Sequence, residues 1–371
     1  MILEIKPLDT LFFRDGKPFN KDGDTWADTI FPPYPSTIYG ALRTAWFNEN
    51  IEEFEKLNKK DFDTEKDPTE KLKINNIVLK NGNDFLFPMP MDILQSKGEE
   101  EQFKRLSVAN KDYLTSAGDI KLLINQEDEI YSYKNCMIPT IDFEDYLNND
   151  ISSFEKPIED IFQLEPKVGI TREIGTHSAK DGHLYRVGML RLNNDIKIYV
   201  ERRGYKRWRY TKGLDIKIYV DFEGLELKNT IFLKLGGEGK FVEANKTDKK
   251  LKIPFPKVNN NKFILYLSTP AIFEKGWIPS WIDEDKLEGT IPHTDLEVKL
   301  ISATIGKPRF IGGFDMAKKE PKPMYKAVPE GSVYYFEILS GNKESLKEIH
   351  GKSVSDVYGE QGFGVCYAGK Y

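Results

Sequence analysis

The most distinctive chemical feature of this sequence is a short basic stretch interrupted by aromatic residues. Six of the eleven residues from Arg202 to Lys212 are basic, and Tyr205, Trp208 and Tyr210 lie among them. Ammonium and guanidinium groups neutralise phosphates, and aromatic rings stack on unpaired bases. Because the whole chain carries a net charge of −5, this concentration of positive charge predicts a local surface for RNA. Docking on an acidic protein partner is the alternative.

The positive charge extends beyond this stretch. Residues 171–212 contain eleven Lys or Arg residues against four Asp or Glu residues, a local balance of +7. The hexapeptide DIKIYV occurs at 195–200 and again at 215–220, on either side of the basic stretch. Two identical strands predict a hairpin whose tip presents the basic and aromatic side chains, with Arg203, Arg207 and Arg209 as candidate RNA contacts.

The segment LGGEGK at 235–240 is a second candidate site for phosphate. Gly236, Gly237 and Gly239 lie between two predicted strands, and glycine allows backbone N–H groups to approach phosphate oxygens. Lys240 adds a charge. The spacing matches neither a P-loop nor a dinucleotide fingerprint. A hairpin turn that needs positive φ angles is an equally good interpretation.

No catalytic or metal-binding pattern is evident. His177 and His183 flank SAKDG in a predicted loop, whereas His293 and His350 are isolated. Metal-independent RNA cleavage needs a paired general acid and base, and no histidine has a partner in sequence. Zinc and calcium spacings are also missing. The sequence therefore predicts a binding protein without a cofactor, in which His177 contacts RNA.

Cysteine content and hydropathy bear on the compartment. Cys136 and Cys366 lie far apart and form no C-x-x-C motif, which is typical of a reducing environment. The N-terminal residues are interrupted by charges, and no run of eighteen apolar residues occurs. We expect a soluble cytoplasmic protein without membrane contact.

Two domains are expected from the length of 371 residues. Residues 2–7 predict a strand, and STIYGALRTAWF predicts a helix that Ser36 or Thr37 caps and that buries one apolar face. After residue 261 the predicted order is strand KFILYLS, helix within WIPSWIDEDK, strands LEVKLISATI and GSVYYFEIL, helix KESLKEIH and strand GFGVCYAG.

This β-α-β-β-α-β order is ferredoxin-like, as in RNA-recognition domains, and the N-terminal half begins in the same way. The predicted fold class is α+β with two tandem ferredoxin-like (RRM-like) domains. The first covers 1–250, with insertions at about 80–225 and the glycine-rich loop, and the second covers 251–371.

Six blocks in order carry a family resemblance. They are IKPLDTLFFRDGKPF, FPPYPSTIYGALRTAWF, LGGEGKF, LYLSTPAIFEKGWIP, KPRFIGGFDMAKKEPKPMYKAVPEGSVYYFE and GFGVCYAGKY. Together they closely resemble the third-subunit family of the Cmr complex, the type III-B CRISPR effector, within the RAMP superfamily. The blocks run from residue 2 to the C-terminus, with weak similarity at 48–75 and 99–165.

The resemblance implies a non-catalytic subunit that acts in antiviral defence. It implies that the chain holds the repeat-derived 5′ tag of the guide RNA and contacts the large polymerase-like subunit and the neighbouring backbone RAMP subunit. By position, it implies RNA contacts at Gly236, Gly237, Gly239 and Lys240, at Arg14 and Arg43, and at Arg172, Lys180 and Arg186. Lys240 stands where the family often has arginine, so a bidentate phosphate contact is in doubt there.

Two other functions remain open. RAMP endoribonucleases that process CRISPR precursor RNA share the double ferredoxin-like fold and the glycine-rich loop. A purely protein-binding assembly subunit is the second alternative, and Trp277, Ile278, Pro279 and Trp281 would suit its interface if they were exposed. Buried core tryptophans explain the same residues.

Overall fold

The computed structural model describes the chain except for residues 15–25, 28, 59, 97–101, 112, 114, 116–117, 126–129, 132–135, 155–156, 160, 174, 177, 193–195, 203–204, 212 and 316–318. The described residues form mostly strands and few helices. The two largest sheets are antiparallel and contain seven and six of the described strands. The predicted mixture of helices and strands is therefore confirmed.

The first sheet has seven strands. They are β1 (Ile2–Pro7), β2 (Lys73–Asn81), β3 (Asp84–Pro88), β4 (Met137–Pro139), β5 (Ile216–Glu223), β6 (Thr230–Lys234) and β7 (Phe241–Lys246). Their order across the sheet is β4-β3-β2-β5-β1-β7-β6. Every pair of neighbours is antiparallel.

A long helix, α1 (Pro35–Glu49), covers the first sheet, as the spacing of apolar residues predicts. Ile38, Leu42 and Ala45 are buried against the strands. The helix begins at Pro35 and its N-cap residue is Tyr34, so the predicted cap at Ser36 or Thr37 is wrong, and no side chain caps the helix. Proline suits the first helical position because its missing N–H has no partner there in any case. Shorter helices are α2 (Ile51–Lys56) and α3 (Thr140–Leu147).

The second sheet has six strands. They are β8 (Lys262–Leu267), β9 (Glu288–Thr290), β10 (Glu297–Thr304), β11 (Val333–Ser340), β12 (Lys352–Ser353) and β13 (Val365–Lys370). Their order is β9-β10-β11-β8-β13-β12. Short 3₁₀ helices span Lys343–Glu348 and Gly359–Gln361.

The prediction of a helix within WIPSWIDEDK is wrong. Isolated bridges join Lys275 to Ile278 and Ile282 to Gly289, so the segment is a series of turns. The Asp283 carboxylate accepts hydrogen bonds from two nearby backbone N–H groups at 2.9 and 3.0 Å. Such local bonds compete with helix formation. The helix expected in KESLKEIH is also shorter and tighter than predicted, being 3₁₀.

The two copies of DIKIYV do not pair with each other, so that prediction is wrong. The strand Ile196–Arg202, which contains most of the first copy, pairs with Tyr205–Thr211, and we call this pair the basic hairpin. The second copy lies in β5, between β1 and β2. Ile216, Ile218 and Val220 of this copy are fully buried in the first core. The second copy thus has two strand neighbours and a core, which a mutual hairpin would not provide.

Smaller strands surround the sheets. The long hairpin joins Phe162–Arg172 to Ala179–Leu192, and Trp26–Ala27 runs beside its second strand. Three short strands, Ile93–Ser96, Phe103–Arg105 and Ile130–Tyr131, form a small sheet, and Ser107–Val108 pairs with Leu123–Ile124. What we call the arm, Arg309–Ala327, pairs Arg309–Ile311 with Tyr325–Ala327 and Phe314–Asp315 with Glu320–Pro321.

An aromatic core holds the two large sheets together. Phe87 stacks on Phe143 at 4.0 Å, and Phe143 contacts Tyr266 of the second sheet at 4.9 Å. Buried Asp92 accepts hydrogen bonds from Tyr146 at 2.9 Å and from Tyr335 at 2.6 Å. All strands of the first sheet precede residue 250 and all strands of the second follow it. The predicted domain boundary stays a prediction.

Candidate functional site

The glycine-rich loop is the turn that joins β6 to β7. Gly236 and Gly239 have φ angles of +79° and +64°, a region that residues with a Cβ rarely adopt. Leu235 N–H donates to the Lys240 carbonyl at 3.0 Å and closes the turn. The interpretation as a hairpin turn with positive φ is therefore confirmed, and a contact with phosphate stays a prediction.

The loop lies directly against residues 8–14. Gly237 N–H donates to the Phe12 carbonyl at 2.8 Å. A Cβ on Gly236 would collide with the same carbonyl oxygen, and one on Gly237 would meet the Phe12 ring at 3.0 Å. The glycines therefore allow two backbone segments to touch. Because Gly237 N–H is already bonded, this group is not available to a phosphate.

Lys240 carries charge at the loop and is held by the same N-terminal segment. Its Nζ donates to Asp9 Oδ2 at 2.8 Å, and this bond lowers the pKa of Asp9 to about 2. Lys167, from the long hairpin, donates to the Thr10 hydroxyl at 3.2 Å. The neighbouring Lys240 ammonium lowers the pKa of Lys167. Two lysine side chains, Lys167 of the long hairpin and Lys240 of the loop, therefore lie beside each other.

Arg191 completes this cluster, which we call the glycine-loop cluster. It pairs with Glu165 on the facing strand and lies 3.9 Å from Asp9. Three cations, Lys167, Arg191 and Lys240, thus face two carboxylates. Sequence reasoning missed Asp9, Lys167 and Arg191. Alternation could have grouped residues 165 and 167 on one face of a strand, but only the fold brings them to residue 240.

The predicted N-terminal contacts lie in different surroundings. Arg14 is exposed and bridges Thr29 through the backbone. Arg43 projects from α1 and donates to Thr69 at 2.8 Å, to Asp63 at 2.8 Å and to buried Asp67. Every nitrogen of that guanidinium therefore has an intramolecular partner. Its predicted RNA contact stays a prediction.

The candidates on the long hairpin are spread along it. Arg172 and Arg186 are exposed, and Arg186 lies opposite Val168. Lys180 lies on the second strand, but its side chain is outside the described part of the chain, and His177 lies outside the described residues. The predicted RNA contacts of these four residues stay predictions.

Of the candidates in the basic hairpin, Arg203 lies outside the described residues. Arg207 and Arg209 lie on its second strand, opposite Val200 and Ile198, and their side chains are outside the described part. Their predicted RNA contacts stay predictions.

Residues considered for catalysis or assembly are mostly in the core. His350 is half-buried, with its Nε2 3.1 Å from the Ile253 carbonyl. Ile278 is buried, and Trp277 and Trp281 pack against the second core.

Among the described residues, no group of three or more His, Cys, Asp or Glu side chains could hold a metal ion. Within that same part of the chain, no helix is both long and apolar enough to span a membrane.

The arrangement of strands is shared with chains of CRISPR effector assemblies. The chain is similar to one in a "Cryo-EM structure of the Type III-B Cmr-beta bound to cognate target RNA", with 16% identity, a TM-score of 0.50 and coverage of 94% of this chain and 88% of that one. It is also similar to a chain of the same assembly with target RNA and AMPPnP, with 17% identity, a TM-score of 0.50 and coverage of 90% and 86%.

These similarities show a fold shared with chains of type III-B Cmr assemblies. More specifically, the chain belongs to the Cas_Cmr3 family of CRISPR-associated proteins, whose family model matches residues 3–371. The predicted resemblance to the third subunit of the Cmr complex is confirmed. No match was found among curated proteins.

Proposed function

We propose that the chain is a non-catalytic subunit of a type III-B CRISPR RNA-guided effector complex in the cytoplasm. It binds the repeat-derived 5′ tag of the guide RNA and docks the large polymerase-like subunit and the backbone RAMP subunit. Membership of the Cas_Cmr3 family supports this role. So does the similarity of its fold to chains in Cmr assemblies that were solved with target RNA.

The observation that carries the proposal is the glycine-loop cluster. Lys167 and Lys240 lie beside each other at a turn whose glycines bring the backbone of residues 8–14 close. Paired ammonium groups at a tight backbone turn are suited to phosphate oxygens. A subunit that holds one common tag needs such a shaped contact, whereas the variable spacer is read by base pairing.

Strand order supports the finer fold proposal of two tandem ferredoxin-like units. A ferredoxin-like sheet places its first strand between the third and the fourth, with the second strand outside the third. In the first sheet β2-β5-β1-β7 follow this order, and in the second β10-β11-β8-β13 do the same. The connections differ, because turns or short 3₁₀ helices replace two of the helices in the second unit.

One experiment separates this proposal from a processing nuclease. The purified protein is mixed with 5′-labelled repeat RNA in EDTA, and mobility shift and strand cleavage are measured together. We expect a shift with intact RNA, and stronger competition by RNA carrying the tag than by scrambled RNA. Cut RNA would establish the endoribonuclease, and the absence of any shift would leave only the assembly role.

The basic hairpin is tested in the same assay. Replacing Arg203, Arg207 and Arg209 by Ala should weaken RNA binding and flatten its salt dependence. Each lost phosphate contact lowers the slope of log affinity against log salt by about 0.7 for a single strand. An unchanged slope would show that the hairpin does not contact phosphates and would favour docking on a protein partner.

A further inference from the structure

The arm has one face in the core and one in solvent. Ile311 and Ala327, from its paired inner strands, are buried in a small core with Ile272 and Phe363. Phe310 and Lys326 are cross-strand partners that point the other way and are both exposed. Side chains opposite each other in an antiparallel pair lie on the same face. A phenyl ring and an ammonium group therefore lie side by side on the outer face.

The exposed apolar area continues toward the tip. Phe310 is 45% exposed, Phe314 is 53% exposed and Met324 is 53% exposed. Large apolar side chains grouped on a surface usually mark a binding site. Phe310 and Phe314 lie on paired strands of the arm, which position their backbone.

Several exposed lysines lie around these rings. Lys319, Lys322 and Lys326 are exposed, and no ion pair among the described residues involves them. The carboxylates of the described arm belong to Asp315 and Glu320. Arg309 is different, because its guanidinium pairs with Glu330 at 2.5 Å.

We propose that the outer face of the arm binds single-stranded RNA, with bases stacked on Phe310 and Phe314 and phosphates on Lys322 and Lys326. This inference rests on the proposed function, and it adds an RNA surface formed by the second half of the chain. Rings interleaved with cations fit a single strand, whose bases and phosphates alternate. The core of a protein interface is instead depleted in lysine.

A cleft at the tip extends the ring surface onto the first sheet's helices. Its volume is about 470 Å³, and Phe314 and Lys322 line it on the side of the arm. Phe54 and Phe62 line it on the other side. Asp63 and Asp315 also border the cleft, so the RNA backbone is expected on the side of Lys322. A base that follows the one on Phe314 would therefore meet further rings.

The test compares full-length variants that keep or remove the ring. Phe310→Leu combined with Phe314→Leu retains apolar area, whereas Phe310→Tyr combined with Phe314→Tyr retains both rings. We expect the leucine variant to bind labelled single-stranded RNA at least tenfold more weakly with an unchanged salt slope, and the tyrosine variant to bind like the original protein. Lys322→Gln with Lys326→Gln should lower the slope by about 1.4.

Photocrosslinking gives an independent measurement. RNA containing 5-iodouridine should crosslink to peptides that contain Phe310 or Phe314. The inference is overturned if the original protein binds RNA while both the leucine and glutamine variants match it and no arm peptide crosslinks. If the original protein binds no RNA, the proposed function and the inference are both wrong. Loss of binding to a partner subunit alone would assign the arm to a protein contact.

Discussion

Three cations near the first sheet and three lysines of the arm differ in whether a carboxylate partner lies beside them. Lys240 pairs with Asp9, Arg191 with Glu165 and Arg43 with Asp67. In the arm, Lys319, Lys322 and Lys326 are exposed and lie near exposed rings. A cation that has a carboxylate partner also positions the chain, whereas an unpaired one keeps its whole charge for a ligand. Counting basic residues therefore does not locate a phosphate site.

This difference predicts different effects of substitution. Changes in the paired cations should act first on folding, because removing one partner leaves the other charge without compensation. Changes on the arm should act on binding alone, because its side chains face solvent. Each of the following predictions tests that distinction.

The largest effect is expected at Asp67. Burial opposes its ionisation, but hydrogen bonds from Thr69 and the charge of Arg43 hold the pKa of Asp67 below its usual value. Asp67→Ala leaves the half-buried Arg43 guanidinium without its main partner. We expect the free energy of unfolding to fall by about 3 kcal/mol in urea titrations.

Asp63→Ala is the matched control for Asp67. Asp63 also pairs with Arg43, at 2.8 Å, but its side chain is 63% exposed. Its loss should cost less than about 1 kcal/mol. The distinction between the regions would fail if Arg43→Ala left stability unchanged and lowered the salt slope of RNA binding, because Arg43 would then serve phosphate rather than the fold.

Gly236→Ala should be the next most damaging change. The new Cβ would collide with the Phe12 carbonyl, and φ is positive, so a loss of at least about 2 kcal/mol is expected. Gly239→Ala shares the positive φ but meets open space, so about 1 kcal/mol is expected. Urea unfolding of both variants measures the difference. Equal losses would mean that the close approach to Phe12 does not stabilise the loop.

Local patterns predicted the elements and missed the contacts between distant segments. The spacing of Ile38, Leu42 and Ala45 defines a buried helical face from the sequence alone. The six residues themselves do not predict which copy of DIKIYV joins the first sheet, because the pairing of distant strands decides their positions. The contact of Lys240 with Asp9 spans 231 positions and depends on that same pairing. The arm lies within one of the six blocks of the family resemblance, but its solvent face depends on which alternate residues enter the core.

Lowering the pH should destabilise the folded protein through His350. Burial lowers the pKa of His350 to about 4 in the folded protein, from 6.5. The unfolded chain then binds more protons between these values, so stability is full above pH 6.5 and falls as the pH approaches 4. We expect a loss of about 2 kcal/mol between pH 7 and pH 5. His350→Gln should remove this pH-dependent loss, and urea titrations at both pH values measure it.

The smallest effect on stability is expected at Asp9. Replacing Asp9 leaves Lys240 without a carboxylate partner, like the lysines of the arm. Asp9→Asn removes the carboxylate that holds Lys240 while keeping a side chain of the same shape. Stability should change by less than about 1 kcal/mol, because Asp9 is an exposed partner. The released ammonium should behave like the lysines of the arm, raising RNA affinity about two- to fivefold and steepening the salt slope by about 0.7.

The Asp9→Asn result also depends on what the carboxylate does for the loop. If Asp9 serves only to neutralise Lys240, affinity rises, and Lys240→Gln added to Asp9→Asn abolishes the gain. If Asp9 instead orients Lys240 toward a phosphate, affinity falls and the slope becomes shallower. The second outcome would show that Lys240 binds phosphate while it is paired with Asp9, so pairing alone would not separate the two regions. Filter binding over a series of salt concentrations decides between them.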